Sequence, residues 1–117
     1  MLSFQKLHVY QRSIEFLALV MEILGDLPKG HAELADQLVR AAQSQPRNIA
    51  EGAGRRSALD QARFYTHARG SAMEAAAALD TMRVMKLLAD SQHARGIELL
   101  ESIVAMLTKM TSTGQDS

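Results

Sequence analysis

Residues 40–57 read RAAQSQPRNIAEGAGRRS, and this stretch decides how the chain folds. It contains one of the two prolines and two of the seven glycines. A proline inside a helix removes one backbone donor and crowds the carbonyl four residues earlier, so Pro46 predicts a bend in this helix. Gly52 and Gly54 permit the tight conformations that end a helix, and Ser57 can cap the next one. One bent helix therefore leads through a short corner into another.

Outward from this corner, apolar residues repeat every three or four positions in four separate segments. This spacing places them on one face of a helix, because each residue turns the helix by about 100°. The predicted helices span residues 5–25, 31–52, 57–88 and 90–110. No alternation of period two predicts a strand. We therefore expect an all-α, antiparallel up-and-down four-helix bundle over residues 1–110, followed by a flexible polar tail at 111–117.

The first predicted helix carries two apolar series. One series repeats at three and four residues and is predicted to be the seam of the bundle: Leu7, Tyr10, Ile14, Leu17, Met21 and Leu24. The second series, Val9, Phe16 and Ile23, lies about 130° round the helix from the first. This second series either packs inside the monomer or contacts another subunit, and both interpretations stay open.

The third predicted helix combines a core stripe with a face of small residues. The core stripe consists of Tyr65, Ala68, Ala72, Ala75, Leu79 and Met82. On the far side, Gly70 and Ala77 are seven residues apart. Gly70 costs a helix about 1 kcal/mol relative to alanine, which is explained if a second helix or subunit packs there. Gly70 and Ala77 therefore join Val9, Phe16 and Ile23 as the candidate oligomer interface.

Charge and composition limit the classes of function. Lys plus Arg and Asp plus Glu are 13 each, so no overall field attracts the protein to nucleic acid or to an anionic membrane. With no cysteine, disulfides, thiolate metal sites and thiol nucleophiles are excluded. The sequence has neither an export signal nor an uncharged apolar run of about 18 residues. We expect a cytoplasmic protein that does not span a membrane.

A search for catalytic or metal-binding motifs is negative. The pair Asp90 and His93 is a single carboxylate–histidine pair, whereas carboxylate-bridged metal sites in bundles need such pairs on facing helices. Gly52 and Gly54 follow a helix instead of a strand and lack a third glycine, so the dinucleotide-binding motif fails. No serine is placed in a recognisable nucleophile elbow. We therefore expect no enzymatic activity, no cofactor and no bound metal.

Several segments together resemble a known family. They are QLVRAA at 37–42, SQPRNIAEG at 44–52, Arg55, Ser57, Phe64, ARGS at 68–71 and Glu74. This pattern resembles the signature of the four-helix bundle proteins encoded in 23S ribosomal RNA intervening sequences, and the resemblance covers nearly the whole chain. Gln45 stands where that family usually has an aliphatic residue.

The resemblance implies both an assembly and a set of signature residues. Relatives in diversity-generating retroelements form pentamers of four-helix bundles and bind nucleic acid and a reverse transcriptase, but they are strongly basic and this chain is neutral. The signature residues carried over are Arg40, Asn48, Glu51, Gly52, Gly70, Ser71 and Glu74. They are expected to have a structural or interface role, because polar side chains near a helix kink bond the freed backbone groups. A ligand site formed by Asn48, Glu51, Ser71 and Glu74 is the alternative.

Two classes of function follow. In the first, the protein is a non-catalytic scaffold that assembles with itself, as a pentamer by family resemblance. In the second, it is an accessory factor that binds RNA or a ribonucleoprotein. Residues 40–69 contain six arginines and two acids, and the candidate contacts are Arg55, Arg56 and Arg69.

Overall fold

The computed structural model describes residues 1–113 and shows four α-helices preceded by a short 3-10 helix. The elements are the 3-10 helix Ser3–Lys6, α1 His8–Gly25, α2 Ala32–Ala53, α3 Ala58–Val84 and α4 Asp90–Thr113. Each helix packs against the next one, and α1 also packs against α4, which closes the bundle. No strand occurs within residues 1–113. The predicted all-α four-helix bundle is confirmed.

The helix ends follow the caps that the sequence contains. The Ser57 hydroxyl accepts a hydrogen bond from the backbone N–H of Asp60 at 3.1 Å, as expected for an N-cap. Helix α3 ends at Val84, about four residues earlier than predicted, because Lys86 adopts a left-handed φ of 60°. The N–H of Leu87 then donates to the carbonyl of Met82, which closes the helix end.

The C-terminal boundary also differs from the prediction. Helix α4 continues to Thr113, beyond the predicted limit at residue 110. The predicted flexible tail at 111–117 therefore begins with three helical residues. Its remaining part, residues 114–117, lies outside the described residues.

Helix α2 passes through Pro46 without a break in its helical backbone. Gln45 is fully buried, and its Nε2 donates to the carbonyl oxygen of Ala41 at 3.1 Å. The amide nitrogen therefore bonds a backbone carbonyl of its own helix, four residues earlier. The other amide atom, Oε1, is buried and receives no hydrogen bond from the described residues.

The core of the bundle lies where α3 meets its neighbours. The predicted stripe of α3 is buried over its whole length, from Tyr65 to Met82. Three of its six members are alanines, so neighbouring helices can approach closely. At Gly96 of α4 a Cβ atom would lie 2.6 Å from Cδ1 of Leu79, so α4 has no room for a side chain there.

The second apolar series of α1 is buried more deeply than the predicted seam, of which Leu7, Tyr10, Leu17 and Leu24 are partly buried against the core. Val9, Phe16 and Ile23 are 2%, 0% and 1% exposed. Of the two interpretations left open, packing inside the monomer is therefore correct. The contact of these three residues with another subunit is wrong, because packing against α2 and α4 leaves them no free surface. Ser13 and Val20 lie between them and complete a buried repeat of four and three residues. In contrast, Ile14 and Met21 of the predicted seam are 40% and 56% exposed.

The length and hydropathy of each helix decide whether it could cross a membrane. Within residues 1–113, no helix combines the length and the hydropathy that crossing a bilayer requires.

Candidate functional site

The polar signature residues lie along one face of the bundle, between α2 and α3. The hydroxyl oxygens of Ser44 and Ser71 are 2.6 Å apart across these helices. Nδ2 of Asn48 donates to the backbone carbonyl of Ser44 at 2.8 Å and to its hydroxyl at 2.9 Å. The Ser71 hydroxyl donates to the carbonyl oxygen of His67 at 3.1 Å. These four residues are termed the polar chain.

The hydrogen bonds of the polar chain allow one assignment of donors and acceptors. A serine hydroxyl carries a single proton, and Ser71 uses its proton on the carbonyl of His67. Ser44 must therefore donate to Ser71, and it accepts from Asn48 in turn. Both hydroxyl protons are then used: the proton of Ser44 in a hydrogen bond that ties α2 to α3, and the proton of Ser71 in a hydrogen bond within α3. Asn48 and Ser71 therefore both have hydrogen-bond partners within the bundle.

Gly52 allows the ring of Tyr65 to reach the backbone of α2. A Cβ atom at position 52 would lie 2.7 Å from Cε1 of Tyr65 and 3.2 Å from the carbonyl oxygen of Gln61. Tyr65 is buried, and this burial raises the pKa of its hydroxyl. The glycine of the signature is therefore explained by close packing of α2 against α3 near the corner.

The charged signature residues face solvent. Arg40 pairs with Asp36 at 3.4 Å, and both side chains are at least 70% exposed. Glu51 pairs with Arg55 at 3.2 Å, and not with Arg47, which is also four residues away. Exposed pairs of this kind contribute little to stability.

Two of these charged residues line a shallow groove between α2 and α3. Arg40 and Glu74 both line it, together with Gln37 and Thr81. No cation among residues 1–113 pairs with the carboxylate of Glu74. The groove is open, and its charged side chains are exposed. Its geometry fits a seam between helices better than an enclosed ligand pocket.

Gly70 and Ala77 are exposed on the outer side of α3. A Cβ atom at Gly70 would have no neighbour within 4 Å. Ala77 lines the groove between α2 and α3, beside Leu34 and Arg40. The role of Gly70 and Ala77 in an oligomer interface stays a prediction.

The three candidate nucleic-acid contacts do not form one patch. The guanidinium of Arg55 lies over the ring of Phe64, 4.7 Å from its centroid, and also pairs with Glu51. Nε of Arg69 donates to the Thr108 hydroxyl at 2.8 Å, so Arg69 faces α4 instead. Arg56 is exposed at the corner. Only Arg55 and Arg56 are neighbours.

Histidine and carboxylate side chains are dispersed over the molecule. Within the described residues, no three His, Asp or Glu side chains come close enough to hold a metal ion. Nε2 of His93 lies 2.8 Å from Oδ1 of Asp80, which links α4 to α3. This histidine therefore has a structural partner.

Comparison with known proteins identifies the family. The family model of the 23S rRNA-intervening sequence protein matches residues 5–109. The chain belongs to this family. The resemblance seen in the sequence signature is thereby confirmed, and the match covers all four helices of this 23S rRNA-intervening sequence protein. No curated protein matches the chain.

Sequence reasoning missed the contact that organises the seam of this 23S rRNA-intervening sequence protein. Ser44 was not among the candidate site residues, although its hydroxyl lies at the centre of the polar chain. The sequence offered one signal: Ser44 precedes the signature residue Asn48 by four positions, so both lie on one face of α2.

Proposed function

We propose that this 23S rRNA-intervening sequence protein is a non-catalytic assembly module that forms a homo-oligomer. The observation that carries the proposal is a second heptad-like repeat on the outside of α1. This outer stripe of α1 consists of the exposed residues Gln11, Ile14, Ala18, Met21 and Gly25. Its spacing of four and three residues is that of a helix seam. Ile14 and Met21 are 40% and 56% exposed, although both are large apolar side chains.

A second apolar surface supports the proposal. A groove between α3 and α4 is lined almost entirely by apolar side chains, including Met73, Ile97 and Val104. Met73 is 47% exposed. Contiguous exposed apolar surface is uncommon on monomeric proteins and marks sites of association. Five subunits are the number that the family resemblance implies, and the proposal includes that number.

Light scattering tests the proposal directly. The wild-type protein should have a mass several times that of the 12.8 kDa chain at micromolar concentration. The double variant Ile14→Lys with Met21→Lys should be a folded monomer, because two charges in the outer stripe cannot be desolvated. Val84→Lys is the matched control, since Val84 is 83% exposed at the end of α3. A wild-type mass of one chain would contradict the proposal.

Binding to nucleic acid is the second candidate function, and the distribution of charge favours it. The antiparallel order brings residues 1–13, 44–72 and 103–113 to one half of the long axis, termed the basic half. This half contains eight Lys and Arg residues and two acids. The other half, residues 14–43 and 73–102, is termed the acidic half and contains five basic residues and ten acids. A basic surface of this kind attracts phosphate groups.

A salt series separates this second candidate from a scaffold. Binding to structured and single-stranded RNA should persist at about 100 mM salt and weaken steeply above it, if phosphate contacts carry it. The triple variant of Arg55→Ala, Arg56→Ala and Arg69→Ala should weaken binding at every salt concentration. Binding that is absent at about 100 mM salt, or equal in wild type and variant, would contradict nucleic-acid binding. The scaffold would then be the only one of the two candidate functions left.

A further inference from the structure

We infer that Met21 and Met73 are oxidation sites through which a peroxide controls assembly of the protein. The inference rests on the proposed function, because the two residues lie on the two apolar surfaces assigned to association. Met21 belongs to the outer stripe of α1, and Met73 lines the groove between α3 and α4. Oxidation to methionine sulfoxide converts each apolar side chain into a polar one. Subunits oxidised at these positions should not rejoin the oligomer.

The exposed apolar surface of the protein is rich in methionine. Eight large apolar side chains within residues 1–113 are at least 40% exposed, and four of them are Met1, Met21, Met73 and Met85. Met21 is 56% exposed and Met73 is 47% exposed, so a small oxidant can reach both side chains in the free subunit. In contrast, Met82 is fully buried in the core. Because the chain contains no cysteine, methionine supplies the only sulfur atoms that a peroxide can oxidise.

The reaction needs only a peroxide as the second reactant. A lone pair of the thioether sulfur attacks one peroxide oxygen, an S–O bond forms and the O–O bond breaks. With hydrogen peroxide, the other oxygen takes up the proton released from the attacked oxygen and leaves as water. Sulfur loses an electron pair to the peroxide, which is reduced. Methionine sulfoxide reductases reverse the change, so the modification can act as a switch.

At Met73, the new sulfoxide oxygen would find no hydrogen-bond donor among the side chains that line the groove. Seven of the eight lining residues have apolar side chains, and the remaining one is Glu101. A sulfoxide oxygen accepts hydrogen bonds, and an ionised carboxylate only accepts them as well. Covering an oxidised Met73 with a partner would therefore bury an unpaired polar group, which costs free energy.

At Met21, the neighbouring positions of α1 also lack a side-chain donor. The residues three and four positions away share its face of the helix, and they are Leu17, Ala18, Leu24 and Gly25. None of these has a polar side chain. A sulfoxide at position 21 therefore depends on water for its hydrogen bonds and opposes burial against a partner.

Assembly and oxidation should oppose each other. A partner that covers the outer stripe or the groove shields the methionine beneath it, so peroxide reacts with the subunits that dissociation releases. Each sulfoxide should weaken association at least about tenfold, because burial of an unpaired polar group is unfavourable by that factor or more. Met85 provides an internal comparison, since it is 47% exposed like Met73 but lies outside both apolar surfaces, at the C-terminal end of α3.

Treatment of the intact protein with hydrogen peroxide tests the inference. Light scattering follows the mass of the oligomer, and mass spectrometry of peptides measures the sulfoxide at each methionine. The wild type should dissociate toward the 12.8 kDa chain as Met21 and Met73 are oxidised, while the buried Met82 stays reduced. The double variant Met21→Leu with Met73→Leu keeps both surfaces apolar and should stay assembled under the same treatment. Met85→Leu is the matched control and should dissociate like the wild type.

A second measurement needs no variant. In partly oxidised wild type, the assembled fraction should contain unmodified Met21 and Met73, whereas Met85 sulfoxide should be distributed equally between assembled and free subunits. Reduction by a methionine sulfoxide reductase should restore the oligomer. An oligomer that persists with Met21 and Met73 oxidised would overturn the inference and leave the proposed function standing, and so would a double variant that dissociates as readily as the wild type. A monomeric wild-type mass before peroxide is added would remove both.

Discussion

A methyl group at Gly52 would overlap the ring of Tyr65, since its carbon would lie 2.7 Å from Cε1 and 2.9 Å from Cδ1. The two residues belong to adjacent helices, one just before the corner and the other just after it. Their contact sets the distance between α2 and α3 at this end of the bundle. The packing of α2 against α3 therefore requires a glycine at position 52.

Gly52→Ala should destabilise the protein by about 1–3 kcal/mol, because an added methyl group forces the ring or a helix to move. Gly70→Ala is the matched control, since a Cβ atom there meets nothing within 4 Å. That control should stabilise the protein by up to about 1 kcal/mol through helix propensity. Urea unfolding of both variants measures the difference. Equal effects of the two substitutions would contradict the packing argument.

The hydroxyls of Ser44 and Ser71 should be energetically coupled. Each single change to alanine removes the hydrogen bond between the two hydroxyls, at a cost of about 1 kcal/mol. The double variant should cost about 0.5–1.5 kcal/mol less than the sum of the single variants. Ser44→Ala with Thr81→Ala is the control pair, because the Thr81 hydroxyl bonds the carbonyl of Ala77 on its own helix. Additive effects in the serine pair would exclude the hydrogen bond between them.

Gln45→Leu should raise the free energy of unfolding by about 1–2 kcal/mol. The substitution removes a buried amide oxygen that no described residue satisfies. It also places an apolar side chain of similar size in the core. Gln43→Leu, at an exposed position of the same helix, should change stability by less than about 0.5 kcal/mol. Thermal unfolding of the two variants tests the prediction, and a loss of stability in Gln45→Leu would contradict it.

Tyr65 should make stability fall at high pH. Burial raises the pKa of this hydroxyl above its value of about 10 in the unfolded chain. The native state therefore keeps a proton that the unfolded state releases. The contribution is fully present below about pH 10 and is lost as the pH rises from there through the native pKa.

The check is the pH dependence of urea unfolding between about pH 8 and pH 11, which brackets the unfolded pKa. Tyr65→Phe should flatten the decline above pH 10, because it has no proton to release. Tyr10→Phe, which changes a half-buried tyrosine of α1, should follow the wild type. Parallel curves for wild type and Tyr65→Phe would contradict the prediction.

Local patterns in the sequence were sufficient to predict the four helices and the buried face of α3. The stripe from Tyr65 to Met82 has one apolar face, so only one orientation buries it. The N-cap at Ser57 also follows from its own residues, since its hydroxyl bonds a backbone group three positions away. The family signature is likewise a property of the sequence, and the match to residues 5–109 agrees with it.

Only the tertiary structure shows which face of α1 is buried and which side chains of α2 and α3 contact each other. Helix α1 has two apolar faces of similar quality, and Ser13 interrupts the one that is buried. Hydropathy alone therefore did not decide which face is buried more deeply, and packing against α2 and α4 decided the outcome. Glu51 had two arginines at helical spacing, and only the structure selects Arg55. The hydrogen bond from Ser44 to Ser71 joins residues 27 positions apart, so it exists only once the two helices are packed together.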